Sequence, residues 1–306
     1  MQVLKFGGSS LHDADAIRHV AGLIREESAR DRILVVCSAC GGVTNALVRI
    51  VELVRSGQTS RALDEFDALA VRHLEISANL KGVCELPATP SEIHRLMAAT
   101  QASISGATAL TANSEWSDWV LSFGERISVR LVALALNELG IAAKAIDASE
   151  LIVTNDQFGA ASPILDETHA RASRNVRPLL QDGIVPVVTG FIGATRDARI
   201  TTLGRNSSDF SATLLAAAIG ADEVSIWTDV DGVFDRDPRN GADTAVFLDE
   251  LSYEEAINLA RSGAKVLHPQ TLEPLIGASI PVRIRNTFNP RHTGTWIGPE
   301  LRSIAV

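Results

Sequence analysis

VLKFGGSSLHDADAIRHVAGLIREESARDRILVVC, residues 3–37, is the stretch that decides the fold. Val3–Phe6 is a short apolar run that stops at Gly7-Gly8. Residues 14–27 then place Ile17, Val20, Ala21 and Ile24 on one helical face, with Asp13 positioned to cap the start. Ile33–Cys37 is a second, β-branched run. The alternation continues outward. Further strands are expected at Ala142–Ile146, Ile184–Thr189, Arg199–Thr202, Glu223–Trp227 and Val282–Arg285, and helices at Thr44–Arg55, Glu125–Leu139, Thr168–Leu180, Ser208–Ile219 and Tyr253–Arg261. Strand-then-helix repetition of this kind predicts an α/β fold: a mostly parallel central sheet with helices on both faces, an αβα sandwich. Residues 58–113 depart from it, with helical patterning, no convincing strand and a break near Pro87–Pro90. No fixed-period repeat and no Pro/Ser linker divides the 306 residues. A seam between two lobes, if present, is expected at Phe191–Arg199.

Composition removes several classes of function. Lys plus Arg number 28 and Asp plus Glu 37, a formal charge of −9, so a nucleic-acid backbone is not an expected partner. Any anionic ligand must be met by a few local cations. No apolar run approaches the ~20 residues of a membrane helix, and no signal-peptide core follows Met1, so a cytoplasmic location with no membrane partner is expected. Three cysteines are too few for a secreted disulfide framework. Cys37-x-x-Cys40 has no second ligand pair and reads better as buried small residues than as a redox or metal motif.

Chemistry concentrates where strands run into helices. Lys5-Phe6-Gly7-Gly8-Ser9-Ser10 offers glycines that let a phosphate approach the backbone, amide donors at a helix start, and a lysine within reach. The same residues also read as a plain strand-to-helix turn. GxxxxGK[ST], GxGxxG and the protein-kinase signatures are absent. Ser38-Ala39-Cys40-Gly41-Gly42-Val43-Thr44-Asn45 is a second small-residue loop, expected at the same carboxyl edge of a parallel sheet. Thr202-Leu203-Gly204-Arg205-Asn206-Ser207-Ser208-Asp209 combines an arginine fork suited to a carboxylate with a helix start that Ser208 or Asp209 could simply cap. Trp227-Thr228-Asp229-Val230-Asp231-Gly232-Val233-Phe234 is a strand ending in an acidic turn fit to grip a ribose or base, or an ordinary Asp-Gly turn; it lacks the closing Glu of a calcium loop. Gly263-Ala264-Lys265-Val266-Leu267-His268-Pro269 adds a second lysine, while His268 reads as a loop or packing residue.

Together KFGGSS, SACGGVTN, SFGERIS at 122–128, TGFIG at 189–193, LGRNSSDFSA, IWTDVDGVFDRDPR and GAKVLHP, in this order, resemble the catalytic domain of aspartate kinases, in the amino-acid kinase superfamily. The resemblance spans residues 1–297. GRN at 204–206 and the ending NTFNPRHTGTWIG are most similar to the kinase part of bifunctional aspartokinase–homoserine dehydrogenases. It implies a single amino-acid kinase domain over residues 1–306, with an amino-acid-substrate lobe at 1–195 and a nucleotide-binding lobe at 196–297. The implied reaction moves the γ-phosphoryl group of MgATP to the side-chain carboxylate of L-aspartate, opening the route to lysine, threonine and methionine.

By that resemblance Lys5, Gly7, Gly8 and Ser9 hold the transferring phosphoryl group, and Lys5, Gly8, Asp209 and Lys265 form the catalytic set, Asp209 orienting the lysines. Ser38, Thr44, Glu125, Phe191, Arg205, Asn206, Ser207 and Ser208 bind aspartate, with Glu125 on its ammonium and Arg205 on its α-carboxylate. Thr228, Asp229, Phe234, Arg239, Lys265 and Val266 join the nucleotide site. ATP and Mg²⁺ are the implied cofactors, with Mg²⁺ held by phosphates and water rather than by protein ligands. A homodimer is compatible with the resemblance, though the sequence fixes no oligomeric state.

The chain departs from the family at Ser207, where glycine is usual, and at Phe210 and Phe234, where tyrosine is. A Cβ at 207 distorts the aspartate loop if the backbone there needs positive φ. After Ile297 nine residues remain, too few for a regulatory ACT domain, so no lysine or threonine inhibition through such a module is expected. The competing readings are another amino-acid kinase, for acetylglutamate, glutamate, carbamate or UMP, and a non-catalytic ligand-binding subunit that kept the fold.

Overall fold

Leu4 and Phe6 face one way along the first strand, Val3 and Lys5 the other, and the layers are built around that period of two. The structure is a computed structural model and describes residues 1–80, 89–204, 207–235, 245–262 and 267–299. Strand β1 (Gln2–Phe6) leads through a 3-10 turn (Gly8–Leu11) into α1 (Ala14–Ser28). Asp13 caps α1, its carboxylate accepting from the Ala16 amide at 2.9 Å. Strand β2 (Ile33–Cys37) returns parallel to β1. Five helices follow: α2 (Val43–Arg55), α3 (Thr59–Leu80), α4 (Thr89–Gly106), α5 (Ser114–Leu121) and α6 (Phe123–Glu138). Then come β3 (Ala143–Ile146), α7 (Leu165–Gln181), β4 (Val185–Thr189), β5 (Ile192–Ala194), β6 (Ile200–Thr202) and α8 (Ser208–Ile219). The remainder is β7 (Glu223–Thr228), β8 (Val233–Phe234), β9 (Phe247–Leu248), β10 (Glu250–Ser252), α9 (Tyr253–Arg261), α10 (Pro269–Ala278), β11 (Val282–Asn286) and β12 (Thr295–Gly298).

Eight strands form one sheet in the order β10-β12-β11-β7-β1-β2-β4-β3, parallel at every pair except β11–β12. Leu4, Phe6, Val35 and Val187 face the cluster that packs against α1, α2, α3 and α6. Val3, Leu34, Val36 and Val224 face the cluster built with α7, α8 and α10. β2 and β4 are buried along their whole length, as a sheet covered on both faces requires. Register sets the working edge: Phe6 stands opposite both Cys37 and Trp227, and Cys37 opposite Thr189. The loops after β1, β2, β4 and β7 therefore leave the sheet side by side.

The expected layers are present, and the differences have local causes. Residues 199–202 do not join the central sheet; β6 pairs antiparallel with β5 in a separate hairpin. That hairpin occupies most of the expected seam at 191–199, yet strands from both sides of it share one sheet through the β1–β7 pair. The short strands β5, β8, β9, β10 and β12, two to four residues each, are below the length at which alternation is readable. Helix α10 starts at Pro269 and contains Pro274, which masks its periodicity. The helical excursion appears as α3 and α4, and Pro87 in the expected break lies outside the described residues.

Candidate active site

Because Lys5 alternates with Leu4 and Phe6, it points to the face covered by α8, and α8 begins beside the end of β1. Asp209 lies in the first turn of that helix, and Lys5 Nζ meets its Oδ1 at 2.6 Å. Lys5 is almost completely buried, so its charge is aimed at one place rather than shared with bulk water. A Cβ on Gly7 would sit 3.6 Å from the Lys5 ammonium, and one on Gly8 would sit 2.7 Å from the Ala39 carbonyl. Glycine at 8 is thus what lets the loop after β1 lie directly on the loop after β2.

Opposite stands Glu125, in the first turn of α6 and buried. Its Oε1 accepts from the Ala39 amide at 3.2 Å, while Oε2 has no partner among the described residues. Burial pushes its pKa up to about 8, against the opposing pull of that amide. A buried carboxylate oxygen left bare is costly unless a cation completes it.

Between these groups lies a cavity of about 440 Å³ lined by Lys5, Gly7, Gly8, Ser38, Thr44, Asn45, Val48, Leu121, Glu125, Gly159, Phe191, Thr202, Gly204, Ser207, Ser208 and Asp209. Ten of these come from the sequence-based candidates: Lys5, Gly7, Gly8, Ser38, Thr44, Glu125, Phe191, Ser207, Ser208 and Asp209. They arrive from the end of β1, the loops after β1, β2 and β4, and the starts of α2, α6 and α8. Phe191 holds a left-handed backbone, φ 67°, and its amide donates to Ser211 Oγ at 3.0 Å. Ser208 packs so tightly on Gly190 that a Cβ there would stand 2.7 Å from the serine Cβ. Ser207 does not strain the loop: its φ is −86°, and its hydroxyl donates to the Gly204 carbonyl at 2.7 Å.

Ser9 is exposed and outside the cavity lining. Thr228 ends β7 and Asp229 begins the loop after it, adjacent to Gly7 through the Gly7 amide's bond to the Trp227 carbonyl at 3.4 Å. Phe234 lies on β8, its ring edge-on to Phe247 at 5.6 Å. Arg205, Asn206, Arg239, Lys265 and Val266 lie outside the described residues. His268 caps α10, its Nδ1 accepting from the Gln270 amide at 3.3 Å, which is the loop role expected of it. Cys37 and Cys40 are both buried and free, and burial raises both thiol pKa values, Cys40 to about 11, so neither is a thiolate near neutrality.

Sequence reasoning missed Gly159, Leu121, Val48 and the buried carboxylate of Asp118 behind them. Two signals were there to read: Gly159 follows Phe158 in a polar loop, and Asp118 is an acid set among Trp116, Trp119 and Val120.

The sequence and the architecture match a known family. Residues 1–286 fit the model of the "Amino acid kinase family", and the chain belongs to that family. Its relatives there are aspartokinases. Lysine-sensitive aspartokinase 3 of Escherichia coli (strain K12) is 37% identical over 99% of this chain and 67% of its own length. Aspartokinase 1, chloroplastic, of Arabidopsis thaliana is 37% identical over 96% of this chain and 51% of its own. The crystal structure of E. coli aspartokinase III in complex with aspartate and ADP (R-state) superposes with a TM-score of 0.89 at 35% identity, covering 99% of this chain and 65% of that one. The chain spans about half to two thirds of the length of these relatives.

Proposed function

We propose that this chain is an aspartate kinase catalytic unit, transferring the γ-phosphoryl group of ATP to the β-carboxylate of L-aspartate. The observation that carries the reading is two kinds of group lining one cavity: the Lys5–Asp209 ion pair, and the Glu125 carboxyl, whose Oε2 has no partner among the described residues and which a substrate ammonium would ionise. A substrate with an ammonium at one end and a carboxylate at the other spans such a site. The similar E. coli enzyme has been crystallised with aspartate and ADP, which supports the same substrates here.

The chemistry suits the residues present. A side-chain carboxylate has a pKa of roughly 4 and is ionised at neutral pH, so the attacking oxygen needs no general base. It forms a bond to the γ-phosphorus as the bond to the bridging oxygen of ADP breaks, giving 4-phospho-L-aspartate. What must be overcome is repulsion between two anions, together with alignment. Lys5 places a fixed positive charge beside the transferring group, and the Gly7 and Gly8 backbone leaves room for phosphate oxygens. Asp209 keeps the Lys5 ammonium in position. Glu125 holds the substrate ammonium, while Thr44, Ser207 and Ser208 face the same cavity. Arg205 on the α-carboxylate, and Lys265, Arg239 and Val266 toward the nucleotide, complete the proposed set with Ser38, Phe191, Asn206, Thr228, Asp229 and Phe234. Mg²⁺ would arrive bound to the triphosphate, held by its phosphates and by water. There it would supply additional neutralisation of phosphate charge.

Purified protein with MgATP and aspartate, with hydroxylamine present to trap the acyl phosphate, tests the reading. Aspartyl hydroxamate and stoichiometric ADP are expected. ATP binding without turnover on any acidic amino acid would favour a non-catalytic subunit instead.

A further inference from the structure

Asp118 sits on α5, its carboxylate buried and absent from the cavity lining, yet it touches two walls of the cavity at once. Its Oδ2 accepts from the Gly159 amide at 2.8 Å and from the Thr202 amide at 2.8 Å. Its Oδ1 accepts from Thr202 Oγ1, also at 2.8 Å. Gly159, with φ 91°, and Thr202 both line the cavity. We infer that Asp118 is a positioning residue for the amino-acid end of the cavity, fixing the Gly159 loop and the end of β6 against the helix corner that carries Glu125. The inference rests on the proposed reaction and extends it to a residue that does not contact substrate.

Three features support it. First, an ionised acid is expensive here, since burial raises its pKa, and the three donors offset that cost. A surface or merely helix-forming role would not bury a carboxylate on α5. Second, the contacts join segments far apart in the chain: α5, the loop at 155–163 and β6. The same loop is tied to β6 again by the Ala161 amide bonding the Thr202 carbonyl at 2.8 Å and by Thr154 Oγ1 meeting Thr201 Oγ1 at 2.7 Å. Third, α5 continues almost directly into α6, with the Ser122 amide donating to the Asp118 carbonyl at 2.9 Å and Glu125 one turn beyond. Movement of Asp118 therefore shifts Glu125's neighbours relative to Glu125 itself. Through Thr202 it also sets the entry to Gly204.

Asparagine can replace the acid without losing a bond. Its oxygen at the Oδ2 position accepts both amides, and its NH₂ donates to Thr202 Oγ1, which turns to accept. Alanine loses all three, leaves the buried Thr202 amide without this acceptor and frees the exposed Gly159 loop. Steady-state kinetics on the full chain reads the difference. Asp118→Ala is expected to raise KM for aspartate at least tenfold with KM for ATP changed less than twofold, and Asp118→Asn to return KM for aspartate to within threefold of wild type. In the wild-type chain, amide hydrogen exchange at Gly159 and Thr202 is expected to be at least a hundredfold slower than in an unstructured peptide. An unchanged KM for aspartate in Asp118→Ala, an equal rise in both KM values, or Asp118→Asn as impaired as Asp118→Ala would overturn the inference. If the alanine variant does not fold, the asparagine kinetics and the wild-type amides decide, and unprotected amides contradict it. Protected amides in a wild-type chain with no aspartate turnover would instead remove the proposed reaction while leaving the Asp118 contacts standing.

Discussion

Glu125 carries the pH behaviour of the site. Its folded pKa of about 8 lies above the ordinary 4.5, so between those values the ligand-free folded chain binds a proton that the unfolded chain has released. The sign follows: this contribution to stability is full below about pH 4.5 and is lost as pH rises through 8. Urea unfolding of wild type and Glu125→Gln, without ligands, is expected to diverge over that window, with the variant gaining relative stability as pH rises. Binding an ammonium requires the ionised form, so KM for aspartate is expected to fall about tenfold from pH 6 to 7 and about fivefold from pH 7 to 8. A flat profile would remove Glu125 from the ammonium. Lys5→Ala addresses the other wall. Its charge counts most when the phosphoryl group is in flight, so kcat is expected to drop more than tenfold with a modest change in KM for aspartate.

Elements act here through how closely their ends approach one another. Gly8→Ala would place a methyl 2.7 Å from the Ala39 carbonyl, forcing the loops after β1 and β2 apart. A loss of roughly 1–3 kcal/mol in unfolding free energy is expected, together with reduced activity. A different contact ties the strands to α1. Phe6 and Trp227 stack at 5.8 Å, Arg285 lies 4.1 Å over the indole, and Glu27 of α1 accepts from Arg285 at 2.9 Å. Arg285→Ala, lying below the glycine loops rather than among them, is expected to lower stability by about 2 kcal/mol with KM values little changed. Chemical denaturation with parallel kinetics checks both variants. Elements of this size were legible in the sequence where the period was strong, as in α1, α2 and α9. Where an element is two or three residues long, or carries a proline like α10, tertiary pairing decides and no local pattern reports it. Residues 199–202 read correctly as extended but could not reveal their partner, because pairing with β5 depends on a turn through Ala198, a non-glycine residue with φ 65°.

Across the whole molecule the cavity is lined by residues from 5 to 209, and in an acidic chain of net charge −9 buried Lys5 is the cation that lines it among the described residues. The strand-end motifs were legible because parallel sheets send such loops to one edge. Gly159 and Asp118 were not, since an isolated glycine in a polar loop and a single acid in an apolar helix gain meaning only from what they touch. Ligands that bridge these loops should stabilise the chain as one unit. Aspartate with MgADP, each at about a hundred times its Kd, is expected to add up to roughly 2.7 kcal/mol per ligand to unfolding. A stabilisation absent for aspartate would place its site elsewhere.

The central claim is that the cavity between Lys5 and Glu125 phosphorylates the side chain of aspartate. Hydroxamate formation from MgATP with aspartate, glutamate, N-acetylglutamate and carbamate, compared in one assay, tests it most directly. The account predicts a rate with aspartate at least a hundredfold above the others and its collapse in Lys5→Ala; no product from aspartate, or equal rates with N-acetylglutamate, would contradict it.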